Sequence, residues 1–390
     1  MATQEGSLHS GFAFRPVELT FGQKIWSINW ALLLIILVIA AIGFLTLYST
    51  AGGTSDTWVL RQLIRFGIGI VAMFVVASID LRLWYRFAYA GYLGALGLLG
   101  VVEVLGTVEM GAQRWVDVGV FNLQPSEIMK LALVLALARY FHGRTEEEVG
   151  LIRWLFTPLL MIAVPVALVL RQPDLGTAIL IVLGSLAILF LAGVRIWKFA
   201  FAGVAAAGAL PLIWGYLHDY QKSRVLTFFD PERDPLGAGY HIIQSKIALG
   251  SGGLIGKGFM QGTQSHLNFL PEKHTDFIFT VFAEEFGLFG GLTLLLLYAL
   301  VIATGFIIAL RARNQFGRLL GLGVTVTFFI YAFINIAMVM GLIPVVGVPL
   351  PLISYGGTAM VTILAGFGLL MNVHIHREVR IPRRPGSVET

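Results

Sequence analysis

Runs of apolar residues long enough to cross a bilayer alternate with polar stretches along almost the whole chain. They fall at about 29–49, 63–79, 86–105, 126–141, 155–170, 176–193, 198–217, 276–310, 319–341 and 357–375. A helix needs about 20 such residues to span about 30 Å of hydrocarbon, so the pattern predicts ten transmembrane helices. The first run sits where a secretory signal would, but its apolar core is too long, its polar lead-in extends to Trp30, and nine more runs follow. It is read as a retained span. The expected architecture is an all-α polytopic membrane protein: an N-terminal segment 1–28, a ten-helix membrane domain 29–375 and a basic tail 376–390.

Composition agrees with that pattern. Of 390 residues, 57% are hydrophobic and only 13% charged, more apolar surface than a soluble protein of this length buries. With no cysteine, disulfides, thiolate catalysis and Cys-ligated metal sites are excluded. The formal charge of +5 suggests nucleic acid only until the basic residues are placed. With the N-terminus inside, sixteen of the 27 Lys and Arg fall on the inner side, from Arg15 and Lys24 through Arg311, Arg313 and Arg318 to Arg383 and Arg384. Positive charge collects in short cytoplasmic loops. Both termini are therefore expected in the cytoplasm, and no nucleic-acid partner is needed.

Two connections are long, 106–125 and 218–275, and under this topology both face outside. The second is too long for a plain connector. Within it, Tyr240 to Leu249 reads as a short amphipathic helix, followed by glycines at 250, 252, 253, 256 and 258 that let backbone approach a ligand or another helix.

Candidate chemistry gathers at the same outer level. Asp276 sits at the start of the eighth span; it serves either as an ordinary helix cap or first-turn acid, or as a general base whose pKa partial desolvation raises. Glu127 and Lys130 stand three apart at the start of the fourth span, where they share a face, pair, and either satisfy one another or line a polar cavity. Asp174 and Arg171 read as a loop-end salt bridge or as part of the same site. Residues 341–360, with Pro344, Pro349 and Pro351 and no charge, read as a re-entrant turn packed on the outer face.

Five stretches, QPSEIMK (124–130), QPDLGT (172–177), FFDPERDPLGAGYHIIQSKIALGSGGLIGKG (228–258), LPEKHTDFIF (270–279) and PLISYGG (351–357), appear in this order on ten spans. In this the chain resembles the SEDS family (shape, elongation, division and sporulation) over nearly its full length, and within it the elongation branch more than the division branch. Lys273 stands where many relatives have Arg, and His266 where Gln is expected. The resemblance implies a peptidoglycan glycosyltransferase that polymerises lipid II on the outer leaflet of the bacterial inner membrane by inverting displacement, releasing undecaprenyl pyrophosphate. It implies Asp276 as catalytic base, Glu127 and Lys130 as a functional pair and Asp174 as a supporting residue. The leaving pyrophosphate calls for cations: Lys130 first, then Arg61, Arg65, Arg114, Arg171, Lys222 and Arg224, with Mg or Mn as a further possibility. A lipid flippase and a non-catalytic scaffold are the readings from other classes. No transpeptidase motif is present, and the resemblance implies a class B penicillin-binding protein and other elongation-machinery proteins as partners.

Overall fold

In the computed structural model, residues 20–54, 58–109, 112–117, 122–216, 219–230, 238–267, 269 and 272–382 are described. The first nineteen residues, 231–237 of the long loop, Leu270 and Pro271 of the fourth motif, and the tail from 383 lie outside them.

Each of the ten apolar runs forms a helix. They are α2 (Trp30–Thr50), α3 (Val59–Ser78), α4 (Leu81–Leu105), α5 (Pro125–His142), α7 (Phe156–Arg171), α8 (Leu175–Leu191), α9 (Ile196–Tyr216), α13 (Ile278–Leu310), α14 (Gln315–Val339) and α15 (Gly357–Ile375). Short helix α1 (Phe21–Trp26) precedes them, and α6 (Glu146–Val149), α10 (Asp219–Phe229), α11 (Ala238–Ser251) and α12 (Thr263–His266) lie between them. Among the described residues, seven helices are long and apolar enough to cross a membrane on length and composition. Of the other three, α5 carries Glu127, Lys130 and Arg139, α8 has 17 residues, and α9 is an apolar helix of 21 residues. α5 is buried almost throughout, so protein rather than lipid surrounds its charges.

The core is formed by α5, α14 and α15. α15 is 78% buried and α3 only 17%, which separates interior from periphery. α3 packs along α15 through small residues: a Cβ at Gly368 would lie 2.6 Å from the Met73 carbonyl oxygen.

The expectation of an all-α chain is corrected in the 106–125 connection. Strands β1 (Thr107–Glu109), β2 (Ala112–Asp117) and β3 (Asn122–Leu123) form an antiparallel sheet in the order β1-β2-β3, with Val116 opposite Leu123. The strands are two to six residues long, too short to show a reliable period of two.

In the 218–275 loop, α11 extends the expected amphipathic helix by two residues at each end, and α10 is an addition to the expected elements. The glycines after α11 meet another helix. Gly287 breaks α13 with φ 64 and ψ −161. Across that break the N–H groups of Leu288 and Phe289 donate to Gly253 and Leu254 (2.9 and 3.1 Å), and those of Lys257 and Gly258 donate to Glu284 and Glu285 (3.0 Å each). A Cβ on Gly256, where φ is +89, would fall 2.1 Å from the Glu285 carbonyl oxygen, so only glycine permits this approach.

Candidate functional site at the head of α13

Residues 272–277 form successive turns before α13, and the helix N-cap is Phe277, with no side-chain cap. Asp276 is therefore not capping the helix. Its turn is held from below by Glu272, whose carbonyl accepts from Thr275 and Phe277 N–H and whose carboxylate accepts from Thr275 Oγ1 at 2.8 Å. From the other side the 341–356 segment grips it: Tyr355 N–H donates to His274 (2.9 Å) and Ser354 Oγ to the Thr275 carbonyl (2.6 Å). Trp58 stacks flat on His274 with ring centroids 4.5 Å apart.

The Asp276 side chain is half-buried beside exposed Gly347, where a Cβ would stand 3.4 Å from Oδ2. Among the described residues no hydrogen-bond donor or cation pairs with this carboxylate. Burial raises its pKa to about 6, the Glu272 carboxylate adds to the rise, and Arg224 opposes it.

Asp174 caps α8, accepting from Thr177 N–H (3.1 Å) and Thr177 Oγ1 (2.9 Å). Its ion partner is Arg114 at 3.8 Å, and Gln124 Nε2 reaches it at 3.3 Å. The adjacent Arg171 pairs instead with Glu103 at 3.4 Å on the surface, which corrects the expected Arg171–Asp174 bridge. Arg114 lies on β2 and also donates to the carbonyls of Gln172 (3.1 Å) and Pro173, so the small sheet serves to clamp the QPDLGT loop.

Glu127 and Lys130 do pair, at 2.6 Å, with both side chains almost fully buried. Pro125 at the helix start sets α5 running, and the three-residue spacing puts both groups on one face. Tyr331 hydroxyl lies 3.0 and 2.9 Å from the two Glu127 oxygens, Thr362 Oγ1 lies 3.3 Å from one of them, and Lys130 Nζ sits 4.4 Å over the Tyr331 ring. These four residues border a small pocket of about 30 Å³, otherwise lined by Leu131, Phe328, Phe367 and neighbouring groups.

The remaining cations divide. Arg65 is half-buried over the Tyr355 ring (4.8 Å), and its Nη1 is buried with no partner among the described residues. Arg224 donates to the Val345 carbonyl at 3.2 Å, two residues from Gly347. Arg61 is exposed on α3 and Lys222 half-exposed on α10. No group of three or more His, Asp or Glu that would cage a metal occurs among the described residues.

Several contributors escaped the sequence reading. Tyr331 joins the Glu127 pair, and Asn335, one turn further along α14, donates from Nδ2 to the carbonyls of Asp276 (2.9 Å) and Val348 (2.7 Å). Polar residues four apart on a buried helix were the available signal. Glu284 and Glu285 are adjacent acids within α13, and the cost of charge in a span is the signal that marks them. Glu284 Oε1 accepts from Lys257 Nζ (2.7 Å), Thr263 N–H (2.9 Å), Thr263 Oγ1 (3.1 Å) and Gln264 N–H (3.1 Å), while Ser49 donates to Glu285.

Residues 25–379 match the family model described as cell cycle protein, FtsW/RodA/SpoVE. The peptidoglycan glycosyltransferase MrdB of Escherichia coli (strain K12) is 46% identical over 369 residues, covering 93% of this chain and 98% of the relative. A solved chain from a peptidoglycan synthase complex, described as coordinating polymerization and crosslinking, superposes with TM-score 0.78 at 33% identity, covering 90% of this chain and 98% of that one. The rod shape determining protein RodA of Thermus thermophilus superposes with TM-score 0.69 at 30% identity, with the same coverage.

Proposed function

The chain belongs to the FtsW/RodA/SpoVE family of cell cycle proteins, and from that membership we propose that it is the elongation-type peptidoglycan glycosyltransferase, polymerising lipid II into β-1,4-linked glycan strands. The resemblance to MrdB at 46% identity supports the elongation role over division. It is a multi-pass protein of the bacterial inner membrane, with ten spans, both termini cytoplasmic and the Asp276 site facing the outer side. The ten observed helices and the asymmetry of basic residues support this topology.

The single observation that carries the mechanism is the state of the Asp276 carboxylate. Glu127, Asp174, Glu272, Glu284 and Glu285 each accept from a side-chain or cationic donor, whereas Asp276 accepts from none among the described residues. It is the group free to take a proton, and a pKa near 6 leaves it ionised at neutral pH yet basic enough to act. Asp276 takes the proton of the acceptor sugar's 4-hydroxyl as that oxygen bonds to the donor C1. The C1–oxygen bond to the diphosphate breaks, its electron pair leaves with undecaprenyl diphosphate, and the anomeric configuration inverts from α to β.

The leaving diphosphate is held by cations. The sequence points first to Lys130, but Glu127 already balances its charge, so Arg65 and Arg224 at the lip are the nearer suppliers. A Mg or Mn ion would take most of its ligands from the diphosphate and water, since no protein cage of three ligands is described. A class B penicillin-binding protein supplies cross-linking. The test is polymerisation of lipid II by purified protein, with and without that partner and a divalent cation, comparing wild type with Asp276→Asn. Loss of polymer from folded variant supports the reading. Wild-type polymer overturns it, and lipid II translocation in vesicles that survives the substitution points to a flippase.

A further inference from the structure

Asn335 is fully buried on α14, and its amide meets two main-chain oxygens at once: Asp276 at 2.9 Å and Val348 at 2.7 Å. Two acceptors fix the orientation of the amide, because turning it over would set Oδ1 against both carbonyls. Other ties between the two segments hold the neighbours of Asp276: Tyr355 N–H bonds His274 and Ser354 Oγ bonds Thr275. Asn335 alone, among the described residues, bonds the residue that bears the unpaired carboxylate, and its second bond falls on the residue next to Gly347, against which that carboxylate rests. Gly347 has φ +76, a conformation that disfavours any side chain, so the surface opposite Oδ2 stays bare backbone.

We propose that Asn335 is a positioning residue for glycosyl transfer: by pinning the Asp276 turn to the 343–353 segment it sets where the base stands relative to the acceptor sugar. The proposal rests on Asp276 being the base. Register along α14 extends the same control downward, because Tyr331, one turn away, holds the Glu127–Lys130 pair. A single helix thus sets the spacing between the lip carboxylate and the buried ion pair. Misplacing a reacting group by about 1 Å costs on the order of a hundredfold in rate, and two bonds to a rigid helix prevent that displacement.

The molecule contains its own control. Asn372 on α15 is equally buried and donates to the carbonyls of Val76, Ala77 and Ile79 at the far end of α3, remote from Asp276. Both Asn335→Leu and Asn372→Leu remove a buried amide tie while keeping side-chain size. The experiment measures lipid II polymerisation and melting temperature for the two variants across pH 4.5–8. Asn335→Leu is expected to lower kcat about 10- to 100-fold with KM within about twofold, and to move the acid limb of the rate profile down from about 6, because a loosened turn hydrates its carboxylate. Asn372→Leu is expected to lower the melting temperature and leave the acid limb in place. A wild-type kcat in Asn335→Leu overturns the proposal, as does a reduced kcat with an unmoved acid limb, which marks a merely structural role. If the leucine variant does not fold, Asn335→Ser, which keeps one donor, is read by the same criteria. Asp276→Asn run in parallel separates the two claims: activity in that variant removes the base itself, whereas inactivity there beside a wild-type-like Asn335→Leu removes only the positioning role.

Discussion

Asp276 and Glu284 lie eight residues apart at the head of α13, and their carboxylates have opposite surroundings. Glu284 is fully buried, and one of its oxygens takes four donations from Lys257, Thr263 and Gln264. It fastens the segment 257–264 to the helix. Asp276 is half-buried beside a bare glycine and takes no donation among the described residues. A carboxylate with one oxygen held by several donors is suited to anchor a segment, even with its other oxygen unpartnered among the described residues as in Glu284, and one with no donor at all in a partly desolvated place is suited to act as a base. Acidic residues near a membrane surface look alike in sequence; what separates them is the set of donors that the fold brings to each.

The largest test of that contrast is on activity. Asp276→Asn is expected to reduce lipid II polymerisation about 100- to 10,000-fold while the melting temperature holds; an equal loss from Glu284→Gln in folded protein would erase the distinction. Next comes stability. Lys257→Met leaves Glu284 buried without its cation and is expected to cost about 3 kcal/mol in denaturant unfolding, with proteolysis opening around 251–267; a cost near zero would mean that water already serves Glu284. A third effect is in the pH profile. Because the base must be ionised and its pKa is raised to about 6, rates are expected to level off above that pH and fall about tenfold for each unit below it. An acid limb near 4 would show Asp276 to be hydrated and its burial irrelevant. The smallest effect is expected at Arg171, whose pair with Glu103 is exposed: Arg171→Ala should change stability by less than about 1 kcal/mol and leave KM unchanged, while Arg65→Ala raises KM several-fold. A matching rise for both would return Arg171 to the substrate site.

Much of this was legible beforehand. The run at 357–375 is α15 to the residue, and most other helix ends fall within a few positions of the apolar boundaries, because lipid-length hydrophobicity is a local property of the chain. The pairing of Glu127 with Lys130 followed from their spacing alone, since three residues on a helix bring side chains together without help from the rest of the fold. The partner of Asp174 was not legible. Adjacency suggested Arg171, but the backbone turns between them, and Arg114 reaches across from a strand 60 residues earlier. Tyr331 meets Glu127 across 204 positions and Asn335 meets Asp276 across 59, separations that no periodicity encodes.

By itself, then, the sequence determined the membrane character, the placing of ten helices, the ion pair on α5 and the family whose motifs it carries, all written in short windows where hydrophobicity, spacing or wording suffices. Only the tertiary structure decided which acid is an anchor and which is free, that α14 joins the two polar centres through Tyr331 and Asn335, and that the glycines after α11 dock on the break at Gly287. Those outcomes depend on which donors and backbone segments arrive from distant parts of the chain, and that is settled by packing.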